Sequence, residues 1–154
     1  MTLSAASGQT VTVNFATANG TAVQPADYAT NSGTLTFAPG ETTKTITVAV
    51  AGDLLNEANE TFNVNLATPV NATISDGTGL GTITDDDATP TLSINDATVT
   101  EGNATTESAS FTVTLSAASG QTVSVNFLTA NGTAVQPEDY ATNSGTLTFA
   151  PGET

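Results

Sequence analysis

The chain repeats itself, and the repeat fixes the size of its folding unit. Residues 2–42 recur as residues 114–154, 112 positions later, and the copies differ only at Thr12/Ser124, Ala16/Leu128 and Ala26/Glu138. A period of this length is a common size for a single domain. Because the copies agree at polar as well as apolar positions, they leave no room for two specialised sites. The repeat therefore indicates a unit multiplied for length or valency, and it argues against an ordinary enzyme.

Parts of two consecutive units are expected in the chain. Residues 88–113 have no counterpart before Thr2, so we expect the first unit to lack its beginning and the second its end. We predict residues 1–87 as the C-terminal part of one unit and residues 88–154 as the N-terminal part of the next. Pro90 restricts φ in the linker between them, which would limit flexing.

The charge balance excludes several classes of partner. Fifteen acidic residues face a single Lys44, with no Arg and no His, which gives a net charge of −14. Nucleic acids and anionic membrane surfaces are bound through clusters of Lys and Arg, so we expect neither as a partner. No cysteine is present, and no apolar run reaches the roughly 20 residues that span a bilayer. The wealth of Thr, Gly and Asn and the near absence of Lys favour an extracellular or cell-surface protein.

Alternating apolar and polar residues predict half-buried strands along the whole chain. The clearest runs are residues 11–15, 35–37, 46–50, 62–66, 80–83, 92–94 and 111–115. Turn-forming pairs such as Asn19-Gly20 and Pro39-Gly40 stand between them. Residues 54–59 are the only segment that could be helical, and they are too few for a stable helix. Short strands at this spacing predict an all-β antiparallel sandwich.

The succession of motifs resembles the Calx-beta domain. From Thr91 the chain contains TLSINDATVTEG, SFTVTLS, VSVNFLTANGTA, PEDY and SGTLTFAPGET, and from Thr43 it contains TKTITVAV, GDLLNEANETF, NVNLATP and GTGLGTITDDD. This family is known from the regulatory region of sodium/calcium exchangers and from tandem arrays in large bacterial surface proteins. The resemblance implies a seven-stranded immunoglobulin-like sandwich with calcium ions among the loops at one end.

The resemblance also implies a set of calcium ligands. They are the acids Asp27, Asp53, Glu57, Glu60, Asp85, Asp86, Asp87, Glu101 and Asp139. Calcium prefers six to eight oxygen ligands, and acids gathered without a cation would repel one another. The family often carries two aspartates where this chain has Gly52-Asp53, so fewer ions or weaker affinity would follow. Two alternatives stay open: solvated loop charges, and paired carboxylates that cleave glycosides, for which no His, Arg or Cys is available.

Three classes of function follow from these patterns. We expect a structural repeat of an extracellular, calcium-stabilised stalk, matrix protein or filament. Neighbouring copies or adjacent repeats of the same protein would then complete the partial units head to tail by strand complementation. The alternatives are an adhesin or ligand-binding module of a large surface protein, and a calcium-sensing regulatory module. None of the three is an enzyme.

Overall fold

A computed structural model of the chain describes residues 1–103 and 106–154. In this part of the chain every regular element is a β-strand, and no helix is long and apolar enough to cross a membrane. The chain forms two compact units. The first comprises Met1–Asp53 and Ala58–Asp85, and the second comprises Leu54–Glu57 and Asp86–Thr154. The boundary after residue 87 stays a prediction from the sequence.

The first unit contains a four-stranded antiparallel sheet. Its strands are β1 (Val11–Asn19), β2 (Ser32–Phe37), β3 (Glu60–Val70) and β4 (Thr78–Ile83). They lie in the order β2-β1-β3-β4. The pairing of β1 with β2 runs from Val11↔Phe37 to Ala16↔Ser32, and β3 pairs with the other edge of β1. This order places β1 and β3 in the centre of the sheet.

Two apolar clusters form the core of the first unit. Alternation along β1 turns Val11 and Val13 to the same face, where they pack with Phe37, and each is 1% exposed. The second cluster is built from Ala22, Tyr28 and Phe62. The rings of Tyr28 and Phe62 are stacked, with centroids 4.6 Å apart and planes at 19°. The aromatic residues of the repeat therefore serve the core here.

The second unit contains two smaller sheets. Strands β5 (Leu92–Ile94) and β6 (Val113–Leu115) form one antiparallel pair, and β7 (Val123–Leu128) and β8 (Ser144–Phe149) form the other. The β7–β8 pair is the repeat copy of β1–β2, and its register is the same, from Val123↔Phe149 to Leu128↔Ser144. The nearly identical sequences thus pair in the same register in both units.

Two strands are shorter than the sequence pattern predicts. Within residues 46–50 only Val50 joins a β-bridge, and β6 begins at Val113 instead of residue 111. A β-strand needs a neighbouring strand to satisfy its backbone groups. Among the described residues, backbone–backbone hydrogen bonds join Ala49 and Ala51 to residues 27–29 but none joins residues 46–48 to another segment, which explains why residues 46–50 form no longer strand. The segment 54–59 contains no helix, and the prediction of an all-β antiparallel fold is confirmed for the described residues.

Candidate calcium site

Strand pairing brings several loops together at one end of the first unit's sheet. The last residue of β1, Asn19, lies opposite Phe62 near the start of β3. Glu60, the first residue of β3, pairs with Ile83, the last residue of β4. The loops that follow β1 and β4 therefore lie at the same end of the sheet as the segment that precedes β3.

Hydrogen bonds hold Asp27 in the loop between β1 and β2. Its Oδ2 accepts a hydrogen bond from the Val23 N–H at 2.6 Å. The Ala51 N–H donates to the Asp27 carbonyl at 2.9 Å. Because Asp53 follows Ala51 by two residues, this bond brings the Asp53 segment to the Asp27 loop.

Asp85 stands two residues beyond the end of β4. Its N–H donates to Asn59 Oδ1 at 3.0 Å, which ties it to the residue before β3. Four predicted ligands consequently lie on segments that meet at this end of the first unit, which we call the acidic end. They are Asp27, Asp53, Glu60 and Asp85.

Two further predicted ligands lie near Asn56 in the second unit. The Asn56 side-chain amide donates to the Asp87 carbonyl at 3.1 Å. Asn56 also forms a bridge with Ser119, and Glu57 packs so tightly over Gly120 that a Cβ there would clash with its carboxyl group. A larger residue at position 120 would displace the Glu57 carboxyl group from this packing.

The last three predicted ligands are exposed in the second unit. They are Asp86, Glu101 and Asp139. Asp139 is the repeat copy of Asp27, and its Oδ2 accepts the same bond, from the Val135 N–H at 2.8 Å. The loop sequence therefore fixes the orientation of this aspartate in both units.

None of these places gathers a complete set of ligands. Among residues 1–103 and 106–154, no three or more Asp, Glu, His or Cys side chains are grouped so that they could hold a metal ion. The predicted set is divided, with four acids at the acidic end and five in the second unit. As a coordination sphere it stays a prediction.

The only basic side chain is engaged elsewhere. Lys44 Nζ forms an ion pair with Glu41 Oε2 at 2.8 Å. Glu41 follows β2, whose last residue, Phe37, lies opposite the first residue of β1, at the end of the sheet away from Asn19. The hydrogen bonds from Lys44 and from the Ala38 N–H hold the pKa of Glu41 below its ordinary value. No other Lys or Arg exists in the chain to balance the acidic end.

Sequence reasoning assigned Asn19 only to a turn, yet its side chain organises the Asp27 loop. Asn19 Oδ1 accepts hydrogen bonds from the Tyr28 hydroxyl at 2.6 Å and from the Gln24 N–H at 3.2 Å. In the second unit Asn131 Oδ1 accepts the Tyr140 hydroxyl at the same 2.6 Å. The constant nine-residue spacing of Asn and Tyr in both copies was the signal that could have revealed this role.

The fold is that of immunoglobulin-like β-sandwich domains. Among solved structures, the chain is similar to the "calcium binding domain CBD12 of CALX1.1", with a TM-score of 0.51 and 21% identity over 96% of this chain and 60% of that one. It is also similar to "CBD12 from CALX1.2", with a TM-score of 0.51 and 26% identity over 95% and 60%. The predicted β-sandwich class is confirmed.

The family is established by the sequence. The Calx-beta domain model matches residues 2–83 and again residues 85–154, so the chain belongs to the Calx-beta domain family. Sodium/calcium exchanger 1 of Canis lupus familiaris and of Bos taurus each share 45% identity over 58 residues, which is 38% of this chain and 6% of the exchanger. The chain thus spans a small part of these relatives. The bacterial surface origin stays a prediction.

Proposed function

We propose that this chain is a calcium-binding Calx-beta module and that the acidic end of the first unit supplies ligands to the ion. The observation that carries the proposal is that the segments carrying Asp27, Asp53, Glu60 and Asp85 meet at one end of the sheet, while Lys44 is paired with Glu41. Acids that share one end without a cation repel one another. The similarity to two solved structures, the calcium binding domain CBD12 of CALX1.1 and CBD12 from CALX1.2, supports this proposal.

The acids have the capacity that calcium requires. A carboxylate offers about four lone-pair sites, so the bond that Asp27 accepts from Val23 leaves room for a metal. Calcium takes six to eight oxygens, and carboxylates can bind it through one or both oxygens beside carbonyls and water. Calcium would therefore draw the loops of the acidic end together, and it would stabilise the first unit over the unfolded chain.

Calcium titration by calorimetry tests the proposal, together with thermal unfolding in calcium and in chelator. Free calcium at 100 times its Kd should add about 2.7 kcal/mol to the free energy of unfolding. Asp27→Asn keeps an acceptor for Val23 but removes the charge, and we expect it to weaken binding at least tenfold, roughly as lost ligand charge does elsewhere.

A matched control removes the same charge at another place. Asp76→Asn changes the turn between β3 and β4, at the far end of the sheet from Asn19. It should leave calcium binding unchanged. No calcium-dependent heat or stabilisation, or an equal loss in Asp76→Asn and Asp27→Asn, would refute the proposal.

For the role of the ion we propose mechanical stiffening in an extracellular or cell-surface stalk, matrix protein or filament. The near identity of residues 2–42 and 114–154 supports a unit multiplied for length. We propose no enzymatic activity, because the chain has no His, Cys or Arg to accompany its carboxylates. Adjacent repeats or neighbouring copies, joined head to tail, are the proposed partners. Small-angle scattering should show a more rigid particle in calcium than in chelator.

A calcium sensor is the second candidate, and the 45% identity to sodium/calcium exchanger 1 favours it. A sensor must couple calcium to a second event, so the ion would change affinity for a partner by more than it changes stability. A stiffening role predicts instead that calcium changes stability by more than it changes affinity for a partner. Unfolding free energy and partner affinity, both measured with and without calcium, separate the two.

A further inference from the structure

Two residues that flank Glu60 each hold a segment that carries another predicted ligand. They are Asn59 and Thr61, directly before and after Glu60 in the sequence. The side chain of Asn59 binds the segment of Asp85. The backbone of Thr61 binds the start of the loop that carries Asp27. The start of β3 is therefore joined to the segments of two other acids of the acidic end.

The Asn59 side chain extends the pairing of β3 with β4 beyond its last backbone pair. That pair is Glu60↔Ile83, so Asn59 stands opposite Thr84 and Asp85 lies one residue further out. The Asp85 N–H donates to Asn59 Oδ1 at 3.0 Å. A backbone N–H beyond the end of a ladder needs a partner other than the neighbouring strand. The amide oxygen of Asn59 supplies that partner and ties the Asp85 backbone to the start of β3.

Two hydrogen bonds attach the loop between β1 and β2 to Thr61. The Thr61 N–H donates to Thr21 Oγ1 at 2.8 Å, and the Ala22 N–H donates to the Thr61 carbonyl at 2.9 Å. Gly20 comes so close that a Cβ there would stand 2.4 Å from the Thr61 carbonyl oxygen. A residue with a Cβ would push the loop away from β3. The loop that carries Asp27 is thus attached to the second residue of β3.

The loop passes this attachment on to Asp27. The Asp27 N–H donates to the Val23 carbonyl at 3.0 Å, and Asp27 Oδ2 accepts the Val23 N–H at 2.6 Å. Ala22, the residue before Val23, is buried in one cluster with Tyr28 and Phe62. Asp27 therefore lies between two residues that the core holds in place, Ala22 and Tyr28.

The side chains that make these attachments are uncharged and exposed. Asparagine and threonine oxygens accept hydrogen bonds without adding charge, whereas further carboxylates would add to the repulsion at the acidic end. Asn59 and Thr21 are exposed, so replacing them should change the free energy of unfolding little. Metal affinity responds more strongly, because groups that orient the ligands change it by about 10–100-fold when they are replaced.

We propose that Asn59 and Thr21 are positioning residues of the calcium site. Asn59 holds the segment of Asp85 against the start of β3, and Thr21 holds the loop of Asp27 against the same strand. Both segments stay beside Glu60, and the two residues act on the ion through the acids that they hold. The inference rests on the proposed calcium site and adds that its affinity depends on two uncharged side chains.

The first experiment is calcium titration by calorimetry of Asn59→Ala and Thr21→Val. Both substitutions remove a hydrogen-bond acceptor and leave the charge of the chain unchanged. Each should raise the Kd for calcium about tenfold. Asn65→Ala is the matched control, because Asn65 Oδ1 accepts the Thr78 hydroxyl at 3.1 Å and so joins β3 to β4 at the other end of their pairing. It should bind calcium as the wild type does.

The second experiment tests the Asn59 hydrogen bond without calcium. Asn59→Asp keeps an acceptor for the Asp85 N–H, whereas Asn59→Ala does not. Amide hydrogen exchange of Asp85, followed by NMR in chelator, should be faster in Asn59→Ala than in the wild type and unchanged in Asn59→Asp. Asn59→Asp should also bind calcium at least as tightly as the wild type, because it keeps the bond and adds a negative charge.

Each outcome decides the proposal. If the wild type binds calcium and Asn59→Ala and Thr21→Val bind it equally well, the positioning role is refuted and the proposed function stands. The same holds if Asn65→Ala weakens binding as much as Asn59→Ala does, or if Asn59→Asp binds as weakly as Asn59→Ala. Unchanged exchange of the Asp85 amide in Asn59→Ala also refutes it. A wild type that binds no calcium refutes the proposed function and the positioning role together.

Discussion

Removing the Tyr28 hydroxyl should destabilise the first unit, while the same change in the repeat copy should have little effect. Tyr28 is 1% exposed, and its hydroxyl donates to Asn19 Oδ1 at 2.6 Å. Tyr140 makes the same bond to Asn131, also at 2.6 Å, but Tyr140 is only half-buried and the bond itself is exposed. Tyr28→Phe and Tyr140→Phe therefore delete one identical bond from two different environments.

The expected cost follows from burial. A buried hydrogen bond contributes about 0.5–1.5 kcal/mol, and the unpaired acceptor that remains adds to the loss. Asn19 still accepts the Gln24 N–H at 3.2 Å, so that addition is small. We expect Tyr28→Phe to cost about 1 kcal/mol, equivalent to a decrease of roughly 4–8 °C in the Tm of a unit of this size. Water replaces the lost partner at Tyr140, so its cost should stay below about 0.5 kcal/mol.

Amide hydrogen exchange read by mass spectrometry resolves the two units and gives the opening free energy of each. Both substitutions keep the aromatic ring, so the stack of Tyr28 on Phe62 is preserved and only the hydroxyl is tested. Tyr28→Phe should lower protection in β1 and β3, and Tyr140→Phe should leave protection in β7 and β8 almost unchanged. Equal losses of amide protection in the two units would show that burial of the ring does not determine how much this hydrogen bond contributes to the free energy of unfolding.

The remaining predictions concern β4 and the ion pair. Gly81→Ala should lower the free energy of unfolding by about 1–3 kcal/mol, because its Cβ would clash with three ring atoms of the buried Phe62. The control Gly79→Ala places its Cβ no closer than 3.9 Å to another atom and should be neutral or slightly stabilising. Urea unfolding of both variants measures the difference. The hydrogen bond from Lys44 lowers the pKa of Glu41, so this stabilisation is present above the unfolded pKa and is lost as pH falls through the folded value. Lys44→Met should flatten that part of the stability–pH curve, and an unchanged curve would show that the pair contributes nothing.

The strands were predictable because their information is local. The runs 11–15, 62–66 and 80–83 alternate with a period of two, and they lie in β1, β3 and β4. Residues 46–50 alternate as well, yet among the described residues no backbone–backbone hydrogen bond joins residues 46–48 to another segment. The pattern predicts which face a strand buries, but pairing depends on what stands beside it.

The candidate site was only partly predictable for the same reason. Residue types and the Calx-beta resemblance named the acids, but their grouping depends on antiparallel pairing between distant segments. The segments that carry Glu60 and Asp85 lie side by side because β3 pairs with β4, and the Asp53 segment reaches the Asp27 loop through the bond from Ala51. A periodic pattern of apolar residues does not predict which distant segments come into contact. Asp139 has the sequence context of Asp27 and lies in the other unit.

The repeat shows directly what sequence alone determined. The hairpins β1–β2 and β7–β8 share one register, and both loops carry the same bonds from Tyr to Asn and from Val to Asp. Tertiary structure decided burial: Val11 is 1% exposed, whereas its copy Val123 is half-buried. In the first unit β3 pairs with β1 and Phe62 packs on Tyr28, while β7 and β8 form a two-stranded sheet. Local hydrogen bonds need only neighbouring residues, but removing a side chain from water needs distant segments to cover it.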